Sequence, residues 1–246
     1  TLSIILCLSV SILHSQKPFD PSNNKMRQLR MEFATPNDTR TASGAPGHAY
    51  WQQEANYKMH IVLDDEKQTI AGESEITYIN NSPDPLSYLW VQLDQNVRAR
   101  ESLASKAYPS KLSNPMSARM LKRYFNDFDG GFKIEYVRDG KGQDLEVALN
   151  HTMMRIDLPA VLEPGQQQSI KVKWWYHIND RFKDGGGRSG MEYFPADENY
   201  IYTIAQFYPR MAVYNEVEGW QNMQFLGRNE FALPFGNYDV EIVVPS

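Results

Sequence analysis

What most constrains this chain is a two-residue alternation of apolar and polar side chains, repeated in short runs with turn residues between them. Tyr57, Met59, Ile61 and Leu63 alternate with Lys58, His60, Val62 and Asp64. After the polar cluster Asp64-Asp-Glu-Lys-Gln68 comes a second run, ending Glu75-Ile-Thr-Tyr-Ile79. Successive side chains on a strand point to opposite faces, so this pattern predicts a hairpin with one buried face. Further strands are read at Leu86–Leu93, Phe132–Val137, Thr152–Leu158, Ser169–Tyr176, Tyr200–Tyr208, Glu230–Leu233 and Tyr238–Val244. Strands joined by turns rather than helices predict an all-β, mostly antiparallel sheet or sandwich.

Composition narrows the class. With 41% hydrophobic and 22% charged residues among 246, the chain is neither disordered, nor collagen-like, nor a polytopic membrane protein. A net charge of -5 argues against a surface built to hold a phosphate backbone, so nucleic acid is not expected as a partner. The single cysteine, Cys7, leaves the remainder without thiols for a disulfide or a zinc site.

The ends differ from the middle. Thr1–Leu13 is apolar for about the length of a signal-peptide core and turns polar at His14-Ser-Gln-Lys17, too short a run to span a bilayer. No initiator methionine or basic leader precedes it. Residues 1–15 are therefore read as a partial signal peptide, with a buried first strand as the alternative, and the protein is expected to be exported, periplasmic or extracellular. Residues 16–49 carry Pro18, Pro21, Pro36, Gly44, Pro46 and Gly47 with little periodicity, which predicts a polar arm. A single β domain is read over 50–246. Its last strand runs to the end of the chain without a closing element, so the chain is expected to be a fragment of a longer protein.

One segment has helical spacing: Met116, Met120, Leu121, Tyr124, Phe125 and Phe128, with Asn114 as N-cap, Pro115 at the first position and Gly130 beyond the end. It is read as one short amphipathic helix packed on a sheet, despite Arg119, Lys122 and Arg123 on its other face.

Few constellations could carry chemistry. His48, His60, His151 and His177 are isolated and no H-E-x-x-H occurs, so no metal ligand is assigned. Asp127-Phe-Asp-Gly130 has Phe125 and Tyr136 where a calcium loop needs oxygen ligands, which leaves it a helix terminator. Asp184-Gly-Gly-Gly-Arg-Ser-Gly190 lacks the ending and context of a P-loop and is read as a loop, and no serine sits in a nucleophile elbow. Adjacent acids at Asp64-Asp65-Glu66 are read as a solvated turn. No catalytic residue is assigned. Trp174 and Trp175 are neighbours in a predicted strand, so one of them faces away from the core. An outward tryptophan could stack on sugar rings, which keeps a carbohydrate-binding or protein-interaction sandwich open as the alternative function, or it could be covered by an arm or another domain.

In the last third, Ala205-Gln-Phe-Tyr-Pro-Arg-Met-Ala-Val-Tyr214, Glu218-Gly-Trp-Gln221, Phe225-Leu-Gly-Arg-Asn-Glu-Phe231 and Phe235-Gly-Asn-Tyr-Asp-Val-Glu-Ile-Val-Val-Pro245 resemble the end of the N-terminal β domain of M1-family zinc metallopeptidases. The form is that of the exported aminopeptidase N-like enzymes common in Bacteroidetes-type bacteria. Trp51–Asn81 resembles that domain's first hairpin and Met154–Pro159 a middle strand, so the likeness spans roughly 50 to 245. It implies a saddle-shaped, non-catalytic β domain followed in the same chain by a catalytic domain. That domain would hold Zn2+ through H-E-x-x-H and a downstream glutamate, and the parent would remove N-terminal residues from peptides. The fragment, lacking those ligands, should be inactive alone. By the same resemblance, Gln206 matches a glutamine that faces the substrate's amino terminus, and Tyr208 stands where a second, acidic or amide, side chain is usual. Gln206 and Tyr208 are therefore the candidate substrate-binding residues, with Tyr208 filling the core beside Pro209 as the alternative. Gly190-Met-Glu-Tyr193 is similar to the family's exopeptidase motif only by chance, because it lacks the asparagine and precedes the expected catalytic domain.

Overall fold

The computed structural model describes residues 36–107, 117–118, 127–184, 188–228 and 232–245. The predicted signal peptide, the first part of the arm and most of the predicted helix at 114–128 lie outside these residues.

Two sheets share one apolar core. The first contains β1 (Glu54–Asp64), β2 (Thr69–Ile79), β4 (Lys133–Asp139), β7 (Gln167–His177) and β13 (Tyr238–Val243), in the order β13-β1-β2-β7-β4. The second contains β3 (Leu86–Gln92), β5 (Val147–Asn150), β6 (Met153–Leu162) and β10 (Arg210–Met211), in the order β10-β3-β6-β5. Two small pairs complete the fold: β8 (Gly190–Phe194) with β9 (Asn199–Thr203), and β11 (Tyr214–Asn215) with β12 (Gly219–Trp220). All pairings within the sheets are antiparallel except β1 with β13. The predicted all-β, mostly antiparallel class is what the structure shows. Its helical content among the described residues is slight, a 3-10 turn at Asp94–Arg98 and a one-turn helix α1 (Leu103–Ala107).

The alternation in the sequence sets which face is buried. Strand β1 buries Ala55, Tyr57, Met59 and Ile61, and β7 buries Ile170, Val172, Trp174 and Tyr176. From the other sheet Leu89, Val91, Met154, Ile156 and Met211 close over them. Each such aliphatic side chain, fully removed from water, contributes about 1.5–3 kcal/mol before the entropy of ordering it is counted. The outer face carries charge instead: Lys171 pairs with Glu75 at 3.6 Å, Lys173 with Glu135 at 3.0 Å, and the Tyr136 hydroxyl donates to Glu73 at 2.7 Å.

Two local devices make the packing possible. Gly72 lies opposite Trp174 in the β2–β7 register, and a Cβ placed there would come within 2.5 Å of the indole. The absent side chain lets the ring lie flat on β2, with its N–H donating to Ser74 Oγ at 3.3 Å. Where the chain crosses from β2 to the second sheet, buried Asn80 uses both ends of its amide. Its nitrogen donates to the Asp84 and Leu162 carbonyls at 2.8 and 3.0 Å, and its oxygen accepts from Gln53 Nε2, the Ser82 N–H and the Ser82 hydroxyl.

Strand β13 is a different case. Tyr238, Val240 and Ile242 sit opposite Tyr57, Met59 and Ile61, on the core side of the sheet, yet all six β13 residues are exposed. The second sheet does not reach over this edge, and Phe235 just before it is 71% exposed.

Residues 36–49, the described part of the arm, run as turns and bends along the surface. Arg40 fastens them, 2.5 Å from Glu216 and with its guanidinium over the Tyr50 ring.

Candidate functional site

The link between β9 and β10 carries both candidate residues. The sequence predicts one strand over Tyr200–Tyr208, with Gln206 and Tyr208 on one face and Phe207 on the other. In the structure β9 stops at Thr203 and pairing resumes at Arg210, directly after Pro209. The cause is a side chain from another loop. Buried Ser189 takes both backbone groups of Ala205: its hydroxyl donates to the Ala205 carbonyl at 3.0 Å and accepts the Ala205 N–H at 2.8 Å. Asn179 Nδ2 in turn holds the Ser189 carbonyl at 3.1 Å. With its ladder bonds diverted, the chain turns through Gln206, which adopts a left-handed φ of +55°. A non-glycine residue in that region is uncommon and costs on the order of 1 kcal/mol, so the surrounding bonds must hold it there.

Beyond the turn, alternation no longer governs direction. Phe207 and Tyr208 both lean on the core. Phe207 packs near Trp174, and Tyr208 stands edge-on to Tyr57 and Tyr238 with centroids at 5.6 and 6.4 Å. Burial, and next the neighbouring Tyr238 hydroxyl, push the Tyr208 phenol well above its ordinary pKa. It stays neutral at any working pH and can offer only a neutral oxygen. Gln206 is half-buried, and its amide has no hydrogen-bond partner among the described residues. Of the two, Gln206 is the side chain that the fold leaves uncommitted, whereas Tyr208 is held in an aromatic cluster.

Next to Tyr208, Arg210 is buried and paired with buried Asp94, and it also donates to Gln92 Oε1 at 3.3 Å. Burial pushes the Asp94 carboxyl up and the Arg210 guanidinium draws it back. This pair anchors the far end of the link to the β3 edge. Sequence reading missed both Ser189 and the Asp94–Arg210 pair. Ser189 sits in a glycine-rich loop and Asp94 more than a hundred residues from its partner, so no local pattern points to either.

The remaining candidates are structural. His60 lies 3.1 Å from Glu241 on the outer face, and Asp64 caps its turn by accepting the Lys67 N–H and side chain. Asp129 accepts from Lys133, Arg100 N–H and Gly131 N–H at the entry to β4. Gly190–Tyr193 belongs to β8. Residues 185–187 of the glycine-rich loop lie outside the described residues. Trp174 faces the core and Trp175 the outer face.

No protein-family model matches the chain, and no curated protein matches it. Among solved structures the chain is similar to an M1 zinc metallopeptidase from Deinococcus radiodurans, at 13% identity and TM-score 0.39, over 82% of this chain and 34% of that one. A mutant of that enzyme bound to a Tyr-Ser-Ala substrate matches at 13% identity and TM-score 0.38 over the same shares. A two-domain M1 zinc metallopeptidase mutant bound to L-arginine matches at 13% and 0.38, over 82% and 35%. The chain thus spans about a third of the length of these structures. Likeness at this level establishes no shared activity. Among the described residues no three His, Cys, Asp or Glu side chains come together, so these residues do not fit a zinc site.

Proposed function

We propose that residues 50–246 are the N-terminal, non-catalytic β domain of an exported M1-type zinc aminopeptidase, and that a catalytic domain in the same chain covers β13. The observation that carries this reading is the uncovered core side of that strand. Val240 and Ile242 are 41% and 56% exposed beside fully buried Ile61, and Phe235 and Leu233 extend the apolar strip. An apolar edge of this kind calls for a partner surface. The resemblance of Phe235–Pro245 to the end of the M1 N-terminal domain supports a catalytic domain as that partner. Tyr238 of β13 packs against Tyr208, so a domain seated on the strip would also border the β9–β10 link.

In this role the chain contributes no catalytic group. Zinc and its ligands belong to the partner domain, where the metal would activate water for peptide hydrolysis. Gln206 would border the cleft and accept a hydrogen bond from the ammonium of a peptide's first residue through its amide oxygen. Tyr208 would set the floor beneath it.

Expression of the full reading frame tests the proposal. It should contain H-E-x-x-H within about 150 residues after Ser246 and release N-terminal residues from peptide substrates. The 246-residue chain should do neither that nor retain stoichiometric zinc. A frame that closes near Ser246, or one tight zinc per isolated chain, overturns it.

A further inference from the structure

The outer face of the five-stranded sheet carries the ion pairs Lys171–Glu75 and Lys173–Glu135 and turns apolar at one corner. At the β1–β2–β7 corner, Val62, Ala71 and Trp175 lie side by side across the three strands, and Asp64, Thr69 and His177 form the next row. With Lys67 from the hairpin turn, these residues line a depression of about 380 Å³. Its shape follows from the register. Ala71 carries only a methyl, so it makes a floor between Val62 and the taller Trp175. His177 meets Trp175 edge to face, with centroids 5.2 Å apart and planes at 89°.

Nothing in the core explains a tryptophan here. Trp174 already fills the inner position, and Trp175 points the other way, half-buried, with Val62 and Ala71 on one side and Lys133 of β4 opposite it on the other. The electrostatics of the lining narrow what could sit on it. Asp64 and Lys67 are 2.7 Å apart and neutralise each other, so the depression presents no net charge to a phosphate or a charged peptide. It presents an indole wall, a methyl floor and, at one end, a hydroxyl, an imidazole and a carboxylate with lone pairs to spare. A pyranose ring has the matching chemistry, with C–H groups on one face to lie on an aromatic ring and hydroxyls at its edge for the polar end.

We propose that this depression is a glycan-binding subsite that takes one or two uncharged pyranose units of a polysaccharide chain, stacked on Trp175. The site lies on the opposite side of the sheet from the core and does not depend on the peptidase reading. Such a site would hold the protein on glycan material while its other surfaces remain free.

Affinity electrophoresis of the 246-residue chain through gels cast with xylan, laminarin, glycogen or hydroxyethylcellulose tests this. Calorimetry with the hexaoses of xylose, maltose-type glucose, cellulose-type glucose and N-acetylglucosamine adds a second readout. At least one of these glycans should retard the chain. Trp175→Ala should weaken that binding at least ten-fold with an unchanged melting temperature, and Ala71→Gln, which fills the floor from the solvent side, should do the same. Lys173→Ala, on the same face outside the depression, should leave it intact. Three results overturn the proposal: no retention by any of the glycans, retention that survives both Trp175→Ala and Ala71→Gln, or a Trp175-dependent dimer in gel filtration. The last would mean that a second copy of the chain covers the indole.

Discussion

Tyr57 stacks face to face on Tyr238 across the parallel pairing of β1 and β13, with ring centroids 4.9 Å apart and planes within 6°. The same Tyr57 hydroxyl accepts the backbone N–H of Met211, at 2.8 Å, and so joins the first sheet to the second. Tyr57→Phe keeps the stack but leaves that buried N–H without an acceptor. It should lower unfolding stability by about 1–3 kcal/mol in urea denaturation. Tyr78→Phe is the contrasting case. The Tyr78 hydroxyl is buried with no hydrogen-bond partner among the described residues, so its removal should be neutral or slightly stabilising.

Burial pushes the phenols of Tyr57, Tyr78 and Tyr176 far above the ordinary tyrosine pKa. The neutral forms are thus favoured in the folded state relative to the unfolded chain, whose tyrosines ionise near pH 10. The associated stability is complete below about pH 10 and is lost as pH rises beyond it. Melting temperature should fall steeply above that point. In absorbance titration at 295 nm, these three should ionise only together with loss of the folded signal.

Asn80→Asp changes one atom type and no shape. It would replace the amide nitrogen, which donates to the carbonyls of Asp84 and Leu162, by an oxygen facing two acceptors. The substitution should cost about 3 kcal/mol or more at neutral pH, and Asn80→Ala a comparable amount through the orphaned Gln53 and Ser82 donors. Equal denaturation midpoints for wild type and Asn80→Asp would show that the corner is not held by this amide.

Gly72→Ala places a methyl against the Trp174 ring from a paired backbone that cannot retreat. An overpacking cost of about 1–3 kcal/mol is expected, with a changed near-ultraviolet circular dichroism signal from the displaced indole.

In the full-length enzyme of the proposed function, Gln206→Ala should raise KM for aminoacyl substrates about ten-fold with kcat little changed. The Ala205–Ser189 bonds use backbone atoms and remain, so the melting temperature should hold. Unaltered kinetics in the folded variant would remove Gln206 from the cleft.

The hairpin of β1 and β2 was legible because its code is local: every second residue from Ala55 to Ile61 is apolar and buried, and the polar Asp64–Gln68 cluster makes the turn. The same rule failed at Tyr200–Tyr208. There the residues read as one strand, but Ser189, held by Asn179 just before β8, takes the ladder bonds of Ala205, and the chain turns at Gln206. The outward direction of one neighbouring tryptophan was legible from strand geometry, but not which one, because that depends on Gly72 making room for Trp174. The two-residue strands β10, β11 and β12 are too short to carry a period, and nothing in Tyr238–Val243 announces a parallel partner 181 residues earlier.

That long-range pairing also bears on the order of folding. Asn237 bonds Asn56 across a separation of 181 residues, so the first strand of the domain finds its outer neighbour only when the last strand has been made. During synthesis β1 can close with β2 at once, yet its other edge waits, unpaired, until residues 238–243 have been made. Contacts this distant slow folding, and an open strand edge in the meantime invites mispairing with other chains. The step that seals this edge should therefore be the late, rate-limiting phase of refolding. A nascent chain stopped before Tyr238 should need chaperone cover that the finished domain does not.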